Sequence, residues 1–342
     1  AKVVEADLPP GFVGDTSQHP VQEDSCKAKA RELQDMLFLP VCGPPEELPQ
    51  GEKAIEVMWV LTAKGDEQQM YSRVKARLVL MGNQEKACLG KMDTYAPVAM
   101  PVTYRVLIAL HLGEKGVIFR SYDVGQAYLS TLRKRKAWMR HPKGYEVYVN
   151  EKNQLTYRKS TGRRPKTVMS ILRALYGGAE CGRLFYDEFV RYHVDVLGFI
   201  VTHLDKCLLI LFGKGGSFIK LVFHVDDGMI AYRGERLYKV YLLAVRKRFQ
   251  LEEGPLRRML GMNYTFSPDG KQVDIDQKEQ IEKMLREMDM ENASISRVKS
   301  PVPQGTLPNK ADIPVNPDEL AKVQGEFSMY AALGHLGYLQ QG

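Results

Sequence analysis

The sequence predicts an α+β protein. Helical and hairpin signals intermix along its 342 residues without regular βαβ alternation. Hydrophobic residues make up 44% of the chain, enough for a real core and too many for a disordered polymer. No apolar run approaches the ~18 residues of a membrane span, so no membrane partner is expected. At roughly 150 residues per domain, the length suggests two or three lobes.

Residues 1–50 are Pro-rich and irregular, with "LPPG", "HPVQ" and "VCGPPEELPQG". One helix is predicted there, from about Cys26 to Met36. The stretch holds four Lys/Arg against nine Asp/Glu, an acidic leader that could dock a protein partner. The first residue is Ala, as expected of a piece cut from a longer protein, and no basic-then-apolar signal segment follows it. "AIEVMWVLTAK" (54–64) is a strand by its Ile, Val and Trp content, and "YSRVKARLVLMG" (71–82) is its returning partner after "KGDEQQ". "VTYRVLIALHLGEKG" (102–116) is a helix with an apolar stripe, stopped by Gly116. "VIFRSYDVGQAYLS" (117–130) begins as a strand and ends in a turn.

Further along, "AWMRHPKGY" (137–145) is a strand with a Pro/Gly break, and "QLTYRKSTGRRPKTVMS" reads as a basic hairpin. A long helix is predicted from Ser170 to Leu197. Gly177-Gly178 near its start lets something approach the backbone closely. "KCLLILFGKGGSFIKLVFHVDDGMIAY" is three strands, turning at Gly213–Gly216 and at Asp226-Asp227. Residues 235–249 form an amphipathic helix, "MLGMNYTFSPDGKQVDID" a hairpin, and 277–290 and 317–341 further helices. The five cysteines lie far apart with no CxxC pair, which speaks against zinc and a disulfide framework. A reducing intracellular compartment fits, cytoplasmic or nuclear.

The net charge of +7 rests on residues beyond the acidic leader. Basic clusters recur there: Arg133-Lys134-Arg135-Lys136, Arg163-Arg164-Pro165-Lys166, Arg246-Lys247-Arg248 and Arg257-Arg258. Such a field suits a polyanionic partner. A solvated charged surface is the alternative for any one cluster.

Adjacent aspartates in "FHVDDGMI" (223–230) are open to two readings. Asp is a common turn former. Yet "LVFHV" and "GMIA" look like inner strands, and two carboxylates at such a tip repel unless a cation sits between them. "SYDVGQAYL" places Asp123 at the end of another apolar strand. If the strands are neighbours, three carboxylates converge into an oxygen site suited to Mg²⁺. Two such ions ~3.5–4 Å apart stabilise both the attacking and the leaving oxygen of phosphoryl transfer.

"DVGQAY" and "HVDD" together resemble motifs A and C of reverse transcriptases. "VKARLVLMGNQ", "DTYAPVAMPVTYRVLIAL", "ILRALYGGAECGRLFYDEF", "MLGMNY" and "YAALGHLGYL" resemble, in order, further motifs of the Ty1/copia-type retrotransposon polymerases. The resemblance covers roughly residues 45 to 340. It implies a right-hand polymerase whose antiparallel palm sheet packs on helices. The fingers would be 51–100 and 141–170, the palm 101–140 and 171–262, the thumb 263–342, and 1–50 an N-terminal extension.

The implied reaction is RNA-templated DNA synthesis from a DNA primer and dNTPs, with two Mg²⁺ or Mn²⁺ ions. Asp123, Asp226 and Asp227 would be catalytic and hold the metals together with the Val124 carbonyl. Lys75, Arg77, Gly125, Tyr128, Glu180 and Arg183 would contact the nucleotide, with Tyr128 as the steric gate under the sugar. His224, Gly261, Arg133, Lys134, Arg135 and Lys136 would face template and primer.

Three stretches depart from the family pattern. His224 stands where the family has Tyr. Glu180-Cys181-Gly182 stands where it has Gln-Ala-Pro, and an ionised Glu beside phosphates would be unhelpful. "LRKRKAWM" (132–139) stands where the family is acidic ("LEEEVYM"), and a basic tract would hold nucleic-acid backbone in a salt-dependent way. These departures leave a second class of function open, a repurposed fold serving as a nucleic-acid-binding or structural subunit of a ribonucleoprotein.

Overall fold

The structure is a computed structural model that describes residues 20–65, 71–90, 93–160, 162–288, 290, 334, 336–337 and 339. The chain divides into two compact units. One takes in residues 1–99, 122–228 and 232–253, the other 100–121, 229–231 and 254–342. In chain order the elements are α1 (Pro20–Phe38), β1 (Cys42–Glu46), β2 (Ala54–Ile55), β3 (Val57–Gly65), β4 (Tyr71–Leu80), α2 (Gly82–Leu89), α3 (Pro101–His111) and β5 (Val117–Gly125). Then come β6 (Trp138–Arg140), β7 (Tyr145–Val149), β8 (Leu155–Lys159), β9 (Val168–Ile171) and α4 (Cys181–Arg191), which runs into a π-helical turn, Tyr192–Val196. They are followed by β10 (Ile200–Val201), β11 (Leu208–Phe212), β12 (Phe218–His224), β13 (Asp227–Arg233), α5 (Glu235–Val245), β14 (Gln250–Pro255), β15 (Arg258–Met259), β16 (Met262–Phe266), β17 (Val273–Asp276) and α6 (Lys278–Glu287).

In the first unit β3 and β4 form the predicted hairpin, with Trp59 opposite Leu78 and Val57 opposite Leu80. Alternation decides its faces: Val74, Ala76, Leu78 and Leu80 turn inward, and Lys75 stays in solvent. Strands β1, β9, β6 and β2 form a four-stranded sheet, and β7 pairs with β8. Their inner faces share one core with α1, which contributes Leu33 and Met36, both almost fully buried. Residues 20–46, expected as part of an extension, are thus built into this core.

The central sheet has the order β10-β11-β12-β13-β5-β14. Strands β12 and β13 are buried along nearly their whole length, as inner strands should be. Helix α4 lays Cys181, Leu184, Phe185 and Phe189 into the interior, a 3–4 residue spacing that puts them on one face.

In the second unit, Pro101 opens α3 at the position where a missing N–H costs nothing. The Phe119 ring stacks on Phe266 at 5.5 Å, and the Gly113 N–H donates to the Gly270 carbonyl at 2.8 Å. Strands β15, β16 and β17 form a small antiparallel sheet. Leu260 and Gly261, both at positive φ, make the two-residue turn between β15 and β16.

Three predicted elements differ. The helix expected over 170–197 exists only from Cys181. Before it, Ile171 ends a strand, and the N–H groups of Leu172 and Ala174 are taken by the carbonyls of Val41 and Thr131. Tertiary hydrogen bonding has overridden helical periodicity, and Gly177 at φ 80° breaks what remained. The basic hairpin expected over 154–170 is absent because its halves pair elsewhere: β8 with β7, and β9 with β1 and β6. The helix expected over 102–116 stops at His111. The helix expected over 317–341 lies outside the described residues, save for Gly334, Leu336, Gly337 and Leu339, which are helical. No helix among the described residues is long and apolar enough to cross a membrane.

Candidate active site

Two strand ends carry the aspartates. Asp123 is the third-last residue of β5, Asp227 opens β13, and Asp226 lies in the two-residue turn between β12 and β13. The Val124 N–H donates to the Asp226 carbonyl at 2.7 Å, which locks one strand end to the turn. Both turns are strained. Val225 has φ 62° and Gln126 φ 53°, conformations that non-glycine residues avoid, the β-branched valine most of all. Such strain costs about 1–3 kcal/mol per residue and clusters at functional sites. Gly228 is required, because a Cβ there would run into the Val222 carbonyl and the Tyr122 ring.

The carboxylates feel one another. Burial and the Asp123 and Asp226 charges push the Asp227 carboxyl up to about 6. Asp123 is raised by burial, by Asp226 and by Glu252, while Lys75 pulls it down. That opposing pull puts Lys75 of β4 in the same electrostatic neighbourhood as the aspartates. Among the described residues no three His, Cys, Asp or Glu side chains are gathered closely enough to hold an ion by themselves. Mutual repulsion opposes such closure without a cation. Carboxylates are hard oxygen donors, the kind that a divalent ion such as Mg²⁺ or Mn²⁺ takes.

Around this group stand aromatic rings. Tyr128 is half-buried, edge-on to Tyr176 at 5.5 Å and to Phe185 at 6.3 Å, and packs on Ala174, Cys181 and Leu184. Burial and Asp226 raise its hydroxyl pKa. The Arg77 guanidinium lies over the Tyr176 ring at 5.3 Å, and the Leu80 N–H donates to the Tyr176 carbonyl at 2.7 Å. Gly177 admits this approach, since a Cβ there would collide with the Leu80 carbonyl. Glu32 of α1 accepts the Leu78 N–H at 3.2 Å on the same strand. Gly125 lies against Gln250 of β14, 3.3 Å from a Cβ it does not carry.

Not every expected residue points to this group. Arg133, expected to face template and primer, lies in an internal ion-pair group. Its guanidinium is wholly buried, 2.6 Å from Glu85 and 3.3 Å from Glu180. Glu180, expected to contact the nucleotide, has its carboxylate against that arginine and 10% exposed. Arg183 is engaged with Asp187 at 2.9 Å and Asp93 at 3.1 Å. Lys134, Arg135 and Lys136 are exposed. His224 ends β12 half-buried, its Nδ1 enclosed without a hydrogen-bond partner. Gly261 lies in the second unit. The sequence reading missed Glu85, Tyr176, Glu32 and Glu252. Only Tyr176, beside the glycine pair, carried a local signal.

A protein-family model, reverse transcriptase (RNA-dependent DNA polymerase), matches residues 46–302. The chain belongs to that family. Its curated relatives are Pol polyproteins of copia-type retrotransposons. The retrovirus-related Pol polyprotein from transposon TNT 1-94 of Nicotiana tabacum is 24% identical over 294 residues, 85% of this chain and 21% of the relative. Those from transposons RE2 and RE1 of Arabidopsis thaliana are 27% and 26% identical, over 65% and 73% of this chain and 14% and 16% of theirs. The chain thus spans about a fifth or less of these relatives. Among solved structures, a foamy viral protease-reverse transcriptase in complex with double-stranded DNA is 10% identical, covering 85% of this chain and 41% of its own, with a TM-score of 0.37. Telomerase from Candida albicans is 9% identical over 79% of this chain and 55% of its own, with a TM-score of 0.35.

Proposed function

We propose that this chain is the polymerase segment of a copia-type Pol protein and extends a DNA primer on an RNA template. What supports the reading most is the meeting of Asp123, Asp226 and Asp227 in one electrostatic neighbourhood with Lys75, in a chain of this family. Asp123, Asp226, Asp227 and the Val124 carbonyl hold the divalent ions. When bound, two such ions lower the pKa of the primer hydroxyl and neutralise the departing pyrophosphate. The primer 3′-oxygen displaces pyrophosphate from the α-phosphate of the dNTP. Lys75 neutralises part of the triphosphate charge. Tyr128 sits under the sugar and leaves no room for a 2′-hydroxyl. Lys134, Arg135 and Lys136 hold the nucleic-acid backbone. Positioning and fixed charges supply the rate, as is usual for phosphoryl transfer.

The test is primer extension on poly(rA)/oligo(dT) with Mg²⁺ or Mn²⁺, with Asp226→Asn as control. Extension by the wild type and none by the variant is the expected result. Tight template–primer binding with no extension in either metal would sink the polymerase reading.

A further inference from the structure

A buried cation stands between two carboxylates beside the Tyr128 cluster. Arg133 meets Glu85 Oε1 at 2.6 Å and Glu180 Oε1 at 3.3 Å. The side chains of Arg133 and Glu85 are wholly buried, and that of Glu180 is 10% exposed. These contacts are close without having hydrogen-bond angles, so the attraction is chiefly ionic. Each member comes from a different part of the chain: Glu85 from α2, Arg133 from the segment between β5 and β6, and Glu180 from the position that opens α4. Glu85 Oε2 also accepts the Ala179 N–H. The Arg133 N–H donates to the Leu172 carbonyl and its Nε to the Arg135 carbonyl, each at 2.9 Å.

Burying three charges is a poor way to gain stability, because desolvation offsets most of the attraction. What the triad gives is geometry. It pins the segment Tyr176–Glu180 from two sides, through Glu180 itself and through the Ala179 amide. That segment carries the ring against which Tyr128 rests, and it leads into Cys181, Leu184 and Phe185, which Tyr128 also touches. Arg133 and Glu180 lie in two of the stretches that depart from the family pattern. Without Arg133 the carboxylates of Glu85 and Glu180 would be buried with no cation between them, whereas Arg133 without Glu180 would keep Glu85.

We infer that Arg133, with Glu85 and Glu180, is a positioning residue for sugar selection, acting through the Tyr176–Glu180 segment on Tyr128. This rests on the polymerase reading above. Two measurements separate the two claims. One is amide exchange at Ala179–Cys181. The other is equilibrium affinity for dTTP and UTP on poly(rA)/oligo(dT) whose primer is dideoxy-terminated, so that binding needs no chemistry.

The variant is Glu85→Gln/Arg133→Met/Glu180→Gln, which removes all three charges with little change in volume. We expect cooperative unfolding to be retained, exchange at Ala179 to speed up, and the dTTP/UTP affinity ratio to fall roughly tenfold as the ring loses its seat. Arg133→Lys, which keeps the charge and loses the fork, shifts both in the same direction by less, and carries the test if the triple variant does not fold. Unaltered exchange in a folded variant overturns the strut. Faster exchange with an unaltered affinity ratio overturns the positioning role. A wild type that binds dTTP but never extends an unblocked primer fails the polymerase reading alone, and the ratio still decides the inference. A wild type that discriminates no sugar overturns both.

Discussion

Asp227 sits at a strained turn with a carboxyl that burial, Asp123 and Asp226 push up to about 6. Unfolded, it would titrate near 3.8. The folded state therefore holds a proton more tightly. Its contribution to stability is fully present below the unfolded value and is lost as pH rises through 6. At pH 7.5 without divalent ions, the ionised group is a liability. Asp227→Asn should raise the unfolding midpoint in EDTA at pH 7.5 by a few degrees, on the order of 1–2 kcal/mol once solvent screening is discounted, and leave it unchanged below pH 4. Added Mg²⁺ should stabilise the wild type and not the variant. Differential scanning fluorimetry at the two pH values checks both halves, and a variant no more stable at pH 7.5 refutes the repulsion. Tyr128 is the other residue whose role a single exchange can read. Tyr128→Val should raise ribonucleotide incorporation while dNTP extension persists. An unchanged rNTP/dNTP ratio in primer extension would take the gate away from this ring.

At the scale of elements, the junction of α4 with its π-helical turn carries a titration of opposite sign. His193 is fully buried there, with Nδ1 donating to the Phe189 carbonyl at 2.8 Å and Nε2 accepting from the Tyr241 hydroxyl at 3.2 Å. Burial lowers its pKa to about 4. The unfolded state then binds the extra proton, so stability is lost as pH falls from about 6.5 towards 4, by up to roughly 3 kcal/mol. His193→Gln should flatten urea midpoints over that range, and a variant with the wild-type slope would assign the acid loss elsewhere. Gly177 governs a second junction, where Tyr176 docks on the end of β4. Gly177→Ala should cost several kcal/mol, because the φ of 80° and the Leu80 carbonyl both exclude a Cβ. Near-wild-type thermal stability would contradict that docking. The sequence announced this glycine pair but not its partner. What was legible was local: the alternation of β4, the hairpin around Asp226, and the strand before Asp123. The Glu85–Arg133–Glu180 triad joins residues far apart in the chain, and nothing in the spacing of a single sequence marks which buried charges will meet. The helix expected from Ser170 failed for the same reason, since Val41 and Thr131 take its first amides.

For the molecule as a whole, the boundary of the family match does not coincide with the boundary of the core. The match begins at residue 46, whereas the core of the first unit takes in Leu33, Met36, Val41 and Cys42, each 3% exposed or less. Strand β1 supplies an edge of the four-stranded sheet, pairing Cys42 with Ile171 and Glu46 with Val168. Helix α1 covers β4, and its Glu32 accepts an amide from that strand. Removing residues 1–45 would expose those inner faces of β4 and β9, and each lost apolar residue forgoes about 1.5–3 kcal/mol of burial. Four such residues are comparable with the 5–15 kcal/mol by which a typical domain is stable at all. A chain beginning at residue 46 should therefore fail to give a cooperative urea transition. If the shorter chain instead keeps the full chain's urea midpoint, α1 and β1 are ornaments on the fold, and the core closes without them.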